Sequence, residues 1–179
     1  DLAYGEFAGQ AYCAEVHALV SRFENVVVTR TFSKAYGLAG ARVGWCHAPQ
    51  WMMPALYTVR AMGPVNALAQ AAAVAALSEP QTVAERIDTI LAERARTAAA
   101  LRALGLEVLP SAANFLLARV PASGAARADA LVDHLFDADG LLVNRTREAG
   151  LEDWFRFSLS LPEHNDRLVA SLSAFLRQG

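Results

Sequence analysis

The segment Thr31-Phe-Ser-Lys-Ala-Tyr-Gly-Leu-Ala-Gly-Ala-Arg-Val-Gly-Trp45 decides how the chain folds and what it does. An apolar run, Val26–Val28, precedes this segment, and a second apolar run closes it, so the pattern predicts a strand, a loop and a strand. Gly37 and Gly40 interrupt the middle of the segment and mark it as a loop. Lys34 therefore stands in a loop between two predicted strands.

The polar side chains of this loop suit a covalent cofactor site better than a hydrophobic core. The Lys34 amine can form a Schiff base with an aldehyde, and the hydroxyls of Thr31 and Ser33 with the Arg42 guanidinium can bind a phosphate monoester. Pyridoxal phosphate carries both groups. Lys34 could instead be a solvated lysine and Arg42 a salt-bridge residue, but their close grouping with two hydroxyls and two glycines favours the cofactor site.

The segment resembles the lysine segment of class I/II (fold type I) aminotransferases, and most of all that of the histidinol-phosphate aminotransferase group. Asp1-Leu-Ala-Tyr4 is similar to a second element of this family, whose Asp pairs with the pyridine nitrogen and whose Tyr hydrogen-bonds the phenolic oxygen of the cofactor. Arg156, in Phe155-Arg-Phe-Ser158, falls where the family carries the arginine that binds the anionic group of the substrate. The three matches keep the family's order and approximate spacing over the whole chain.

The resemblance implies a pyridoxal-phosphate-dependent transaminase of amino-acid biosynthesis, which transfers an amino group between an amino substrate and a 2-oxo acid. Lys34 would be its catalytic residue and Arg156 its substrate-binding residue. The cofactor would be bound by Asp1, Tyr4, Thr31, Ser33, Lys34 and Arg42. Two alternatives stay open: a decarboxylase of phosphorylated threonine, which shares the lysine segment, and a non-catalytic interaction domain of the same fold.

The resemblance also implies the architecture, which is an α/β fold in two parts. Residues 1–78 would complete the three-layer α/β/α large domain that binds pyridoxal phosphate, and residues 79–179 would form a smaller α+β domain. We interpret the chain as the C-terminal half of a longer polypeptide that forms a homodimer.

The periodicity of apolar residues predicts alternating helices and strands, which is typical of helices packed on the faces of a sheet. Predicted helices cover residues 10–23, 50–60, 66–78, 81–104, 127–138 and 162–176, and predicted strands cover residues 25–31, 41–48, 106–109, 115–120, 141–144 and 154–160.

Composition excludes several classes of partner. The 179 residues are 54% hydrophobic and carry 16 basic and 18 acidic side chains, a net charge of −2, which gives no basic field for nucleic acid or a membrane surface. No apolar run approaches the roughly 20 residues of a membrane span. Cys13 and Cys46 are isolated, and the four histidines lack ligand spacing, so we expect no disulfide, no metal site and a cytoplasmic location.

One position departs from the family pattern and bears on the substrate. The histidinol-phosphate group usually carries a second arginine where this chain has Asn144, and the neighbouring Arg145 would point to the opposite face of a strand. A phosphate monoester gains from two guanidiniums, whereas a carboxylate needs only the fork of Arg156. The sequence therefore predicts that a carboxylate-bearing amino acid rivals histidinol phosphate as amino donor.

Overall fold

The structure is a computed structural model that describes residues 1–60, 62–63, 65–121 and 124–177. It contains two compact units, Asp1–Ile87 and Asp88–Gly179. The boundary predicted between residues 78 and 79 lies just before a long helix that begins at Pro80, and the division between the units falls inside that helix. Within the described part of the chain, no helix is both long and apolar enough to cross a membrane.

The first unit contains two antiparallel strands and several helices. Thr31 lies opposite Gly44 across the two strands, and Val28 lies opposite His47. A small core of Leu2, Cys13, Val20 and Val28 packs the second helix against the first strand. The elements in chain order are α1 (Gly5–Ala8), α2 (Gln10–Arg22), β1 (Val28–Thr31), β2 (Gly44–His47), α3 (Met53–Val59) and α4 (Ala67–Ser78), with short 3-10 helices at Ala39–Ala41 and Gln50–Met52. The next helix, α5 (Pro80–Ala103), begins in the first unit and continues into the second.

The second unit contains a four-stranded antiparallel sheet with helices packed against it. The strands are β3 (Glu107–Val108), β4 (Phe115–Arg119), β5 (Asn144–Arg145) and β6 (Phe155–Ser158), in the order β3-β4-β6-β5, and the helices are α6 (Ala125–Asp139) and α7 (Pro162–Leu176). Alternate residues of β6 are buried, which places one of its faces on the core. The core includes the fully buried residues Leu101, Leu116, Leu131, Leu135, Phe155 and Leu172.

The predicted order of helices and strands is confirmed, with three differences. The helix α1 was not predicted, because four residues are too short for a helical period to show. The strands β1, β2, β3, β4 and β6 are shorter than predicted. The strand β5 begins at Asn144 rather than at residue 141, because Gly140 ends α6 in the left-handed conformation (φ 64°) and the Leu141 N–H donates to the Leu135 carbonyl (2.9 Å).

Candidate active site

The loop that carries Lys34 is closed by backbone hydrogen bonds. The Phe32 N–H donates to the Val43 carbonyl (3.1 Å), and the Leu38 N–H donates to the Phe32 carbonyl (2.9 Å). The side chain of Phe32 is buried, as is that of Ala35, while Lys34 between them is exposed. Buried neighbours on both sides therefore hold Lys34 at the surface of the loop.

Gly44 permits the close approach of β1 and β2 at the start of this loop. A Cβ atom on Gly44 would lie 2.7 Å from the Arg30 carbonyl oxygen, well inside van der Waals contact. Because Gly44 is the partner of Thr31 in the strand register, any larger residue would displace the backbone from which the loop departs.

Tyr4 is brought to Lys34 by the first residues of the chain. The Leu2 N–H donates to the Thr29 carbonyl (2.8 Å), so the segment Asp1–Tyr4 runs beside β1. The Lys34 Nζ atom lies 5.3 Å from the centroid of the Tyr4 ring. This contact places the amine of Lys34 over an aromatic face that ends in a hydroxyl.

Two predicted phosphate ligands also meet. The Ser33 N–H donates to the Thr31 Oγ1 atom (3.0 Å), which leaves the Thr31 hydroxyl hydrogen for another acceptor. The hydroxyls of Thr31 and Ser33 therefore belong to one tight turn directly before Lys34. A phosphate oxygen is an acceptor that such hydroxyl donors can bind.

Asp1 and Arg42 make local hydrogen bonds. The Asp1 carboxylate accepts from the Ala3 N–H (2.8 Å), and the Arg42 guanidinium donates to the Ala39 carbonyl (2.8 Å). Arg42 has a φ of 54°, which places it in the left-handed region where a non-glycine residue is uncommon. These contacts do not join either residue to Lys34, so their predicted roles at the cofactor stay predictions.

Sequence reasoning missed a polar cluster on the other face of β1. The Arg30 guanidinium donates to Glu6 Oε1 (2.5 Å) and to His17 Nε2 (3.2 Å). The two ring nitrogens His17 Nδ1 and His47 Nδ1 are 3.2 Å apart, and the His17 ring stacks on Trp45 (centroids 5.4 Å apart). The sequence pattern indicates only that Arg30 shares a strand face with the buried Val28. A charged side chain on a buried face requires a partner, which the pattern does not identify.

The electrostatic environment of this cluster shifts two pKa values. Burial, then the charge of Arg30 and the proximity of His47, lower the pKa of His17 below its usual 6.5. Burial, and then the nearby Glu6 carboxylate, raise the pKa of Tyr36 above 10. His17 is therefore neutral near pH 7, and Tyr36 keeps its phenolic proton.

Arg156 lies in the second unit, on the face of β6 opposite the buried Phe155 and Phe157. It borders a concavity of about 620 Å³, and its guanidinium stands 5.1 Å from the centroid of the Phe115 ring. Asn144 is its cross-strand neighbour. Leucines and Val143 line much of the remaining surface, together with Ser158, Ser160 and His164.

Arg145 has the orientation that strand alternation predicts. Its guanidinium binds the carboxylates of Asp129 (3.2 Å) and Asp133 on α6, away from Arg156. The carboxylate of Glu148 accepts hydrogen bonds from the backbone N–H groups of Glu148 and Arg147, which hold its pKa below the usual range. The charge of Arg156 lowers this pKa further. Arg156 thus has an amide opposite it and a carboxylate within its electrostatic reach.

The sequence of this chain contains one lysine, Lys34, against 15 arginines. Lys34 therefore carries the one side-chain primary amine in the sequence. In the described residues, no group of three or more His, Cys, Asp or Glu side chains is arranged to hold a metal ion.

An exposed amine over a tyrosine ring, with two hydroxyls in the preceding turn, is an arrangement that can support amine-based covalent chemistry. Residues 1–172 match the family "Aminotransferase class I and II", and the chain belongs to that family. A histidinol-phosphate aminotransferase of Roseiflexus castenholzii is 44% identical over 170 residues, which are 94% of this chain and 44% of the relative.

Solved structures give the same picture of the fold. The histidinol-phosphate aminotransferase from Sinorhizobium meliloti, in complex with pyridoxal-5'-phosphate, matches with a TM-score of 0.90 and 32% identity, over 99% of this chain and 48% of that one. The L-threonine-O-3-phosphate decarboxylase from Porphyromonas gingivalis matches with a TM-score of 0.76 and 29% identity, over 90% of this chain and 50% of that one. The predicted fold class is confirmed, and the chain spans about half the length of these relatives.

Proposed function

We propose that the protein carrying this chain is a pyridoxal-phosphate-dependent aminotransferase of the histidinol-phosphate type, with Lys34 as its catalytic residue. The observation that carries the proposal is the position of the Lys34 amine, exposed over the Tyr4 ring, in a chain with no other lysine. Arginine cannot replace it, because a guanidinium stays protonated and does not act as a nucleophile at neutral pH.

The residues of the loop fit the cofactor chemically. Ser33 and Thr31 offer hydroxyl donors for its phosphate, and Tyr4 offers the hydroxyl of the ring that the Lys34 amine contacts. Arg42 and Asp1 would add a guanidinium for the phosphate and a carboxylate for the ring nitrogen. When bound, pyridoxal phosphate supplies an electron sink for the substrate's carbanion.

Within this site, the part played by Lys34 is that of a base and an acid. With pyridoxal phosphate and substrate bound, the Lys34 amine would accept the proton from the substrate's α-carbon and then donate it again as an acid. The buried side chains of Phe32 and Ala35 fix the backbone from which the Lys34 side chain extends. The substrate's acid group would be held by Arg156.

The test uses the absence of any other lysine from this chain. We expect borohydride reduction of the purified holo-protein to fix pyridoxal phosphate on the peptide that contains Lys34, as read by peptide mass mapping. Lys34→Ala should lose the visible absorbance and nearly all turnover, and Lys34→Arg should not restore them. Normal transamination by Lys34→Ala would refute the assignment of the catalytic amine.

A second candidate reaction is decarboxylation of a phosphorylated threonine, which is favoured by the likeness to the decarboxylase of Porphyromonas gingivalis. Both reactions would use Lys34 in the same way. They differ in products, since decarboxylation releases CO₂ whereas transamination converts a 2-oxo acid to an amino acid. We propose transamination, because the more similar relatives are aminotransferases. We also propose that the protein is a cytoplasmic homodimer, as the family resemblance implies. Sedimentation of the purified protein as a monomer would contradict the dimer.

A further inference from the structure

Arg30 connects three elements of the first unit immediately before the Lys34 loop. Its guanidinium binds Glu6 on α1 (2.5 Å) and His17 on α2 (3.2 Å), and it lies over the Trp45 ring of β2 (5.5 Å to the centroid). The Arg30 and Glu6 side chains are only 12% and 10% exposed. The following residue in the chain is Thr31.

The Glu6–Arg30 ion pair therefore adds a second connection, beside the Leu2–Thr29 hydrogen bond, between the segment that carries Tyr4 and the strand that precedes Lys34. Tyr4 is the residue before α1, whose second residue is Glu6, and Lys34 follows the end of β1. A shift of α1 against β1 would change the distance from the Tyr4 ring to the Lys34 amine. Because the pair is nearly buried, its strength depends on every remaining hydrogen bond of the guanidinium.

The hydrogen bond between Arg30 and His17 determines which nitrogen of the His17 ring carries the proton. A guanidinium only donates, so His17 Nε2 must accept and cannot carry a hydrogen. Neutral His17 then carries its proton on Nδ1, which donates to His47 Nδ1 (3.2 Å). The chain Glu6, Arg30, His17, His47 has one consistent arrangement, and that arrangement requires a neutral His17.

We propose that Arg30 and His17 are positioning residues for the Lys34 site, and that protonation of His17 releases this positioning. A proton added to Nε2 removes the acceptor of Arg30 and places two cations 3.2 Å apart. The inference rests on the proposed function, because it concerns the geometry of Tyr4 and Lys34.

Three other charged or titratable groups face the cluster. Glu6 faces it from α1, His47 from β2, and Tyr36 from the loop, where it is held neutral. Glu6 binds Arg30 through its Oε1 atom, and its Oε2 atom is buried without a hydrogen-bond partner among the described residues. The lowered pKa of His17 agrees with a neutral ring, and it places the change below pH 6.5.

The first measurement is independent of cofactor and turnover. We expect ¹⁵N–¹H correlation spectra of the purified protein to show the Nδ1–H tautomer for His17 at neutral pH, with an imidazole midpoint below 6.5. An Nε2–H tautomer would overturn the proposal, because Arg30 could not then donate to His17.

The second measurement compares pH profiles of kcat/KM and of pyridoxal-phosphate retention. His17→Gln keeps an acceptor for Arg30 and a donor for His47 but cannot take up a proton. Wild type should fall about tenfold on the acid side through the His17 midpoint, which corresponds to roughly 1.4 kcal/mol, and His17→Gln should not show this step. His134→Gln, on α6, is the matched control and should keep the wild-type profile.

An unchanged acid step in His17→Gln would overturn the positioning role. Lys34→Ala distinguishes this failure from failure of the proposed function, because the variant loses turnover only if Lys34 is the catalytic amine. The rescue by glutamine also separates positioning from general stability. His17→Phe fills the space without either hydrogen bond, so it should lose cofactor retention at all pH values, including those where His17→Gln is normal.

Discussion

Replacing Gly44 with alanine should destabilise the base of the Lys34 loop by an amount that the structure defines. The new Cβ would lie 2.7 Å from the Arg30 carbonyl oxygen, whereas ordinary contact begins at 3.4 Å. The oxygen belongs to the backbone, so strands β1 and β2 must separate by about 0.7 Å to accept the methyl group. Overpacking of this kind typically costs about 1–3 kcal/mol.

Gly40→Ala is the matched control, because a Cβ there meets no atom within 4 Å and its φ is not positive. Both substitutions reduce the entropy of the unfolded chain by the same amount, worth about 0.4–1 kcal/mol. The difference between the two variants therefore isolates the contact with Arg30. With a urea m-value of about 2 kcal/mol/M, the unfolding midpoint of Gly44→Ala should lie roughly 0.5–1.5 M below that of Gly40→Ala. Equal midpoints would refute the close approach of the two strands.

Two further predictions concern the second unit. Glu93 is buried and accepts hydrogen bonds from Arg96 and Asn165 (2.7–2.8 Å), which lower its pKa below 4.5. The stabilisation by these bonds is therefore present above pH 4.5 and is lost as the pH falls through the lowered pKa. Urea unfolding should show that Glu93→Gln costs about 1–2 kcal/mol at pH 7 and almost nothing at acid pH. For the substrate, Asn144→Arg should raise kcat/KM for histidinol phosphate relative to carboxylate-bearing amino acids, because it adds a guanidinium opposite Arg156. If the wild type already prefers histidinol phosphate by about 100-fold, roughly 2.7 kcal/mol, then a residue other than Asn144 supplies the second positive charge for the phosphate.

The Lys34 loop could be predicted from sequence because its determinants are local. Apolar runs on both sides fix the strands, and the functional groups follow one another within a few residues of Lys34. Strand alternation likewise predicts which way Arg145 and Arg156 point, since successive side chains of a strand face opposite sides. Such features need only a correct assignment of the strand.

The cluster around Arg30 could not be predicted in this way. Glu6, His17 and His47 come from three different elements, and no local spacing indicates that they meet. The start of β5 was missed for a related reason. The Leu141 N–H donates to the Leu135 carbonyl as part of the cap of α6, so it is not available for strand pairing. Whether residue 141 belongs to the helix cap or to the strand depends on where α6 ends, which apolar periodicity does not define.

The distribution of cations in this chain follows the different chemistry of lysine and arginine. Three arginines each bridge two carboxylates with their planar fork: Arg96 binds Glu93 and Asp166, Arg119 binds Glu107 and Asp153, and Arg145 binds Asp129 and Asp133. Structural ion pairing therefore falls to arginine, which keeps its charge throughout. Lys34 holds a different position, exposed over an aromatic ring. Because an amine can lose its proton and attack a carbonyl whereas a guanidinium cannot, a lone lysine among 15 arginines supports the chemical role proposed for Lys34.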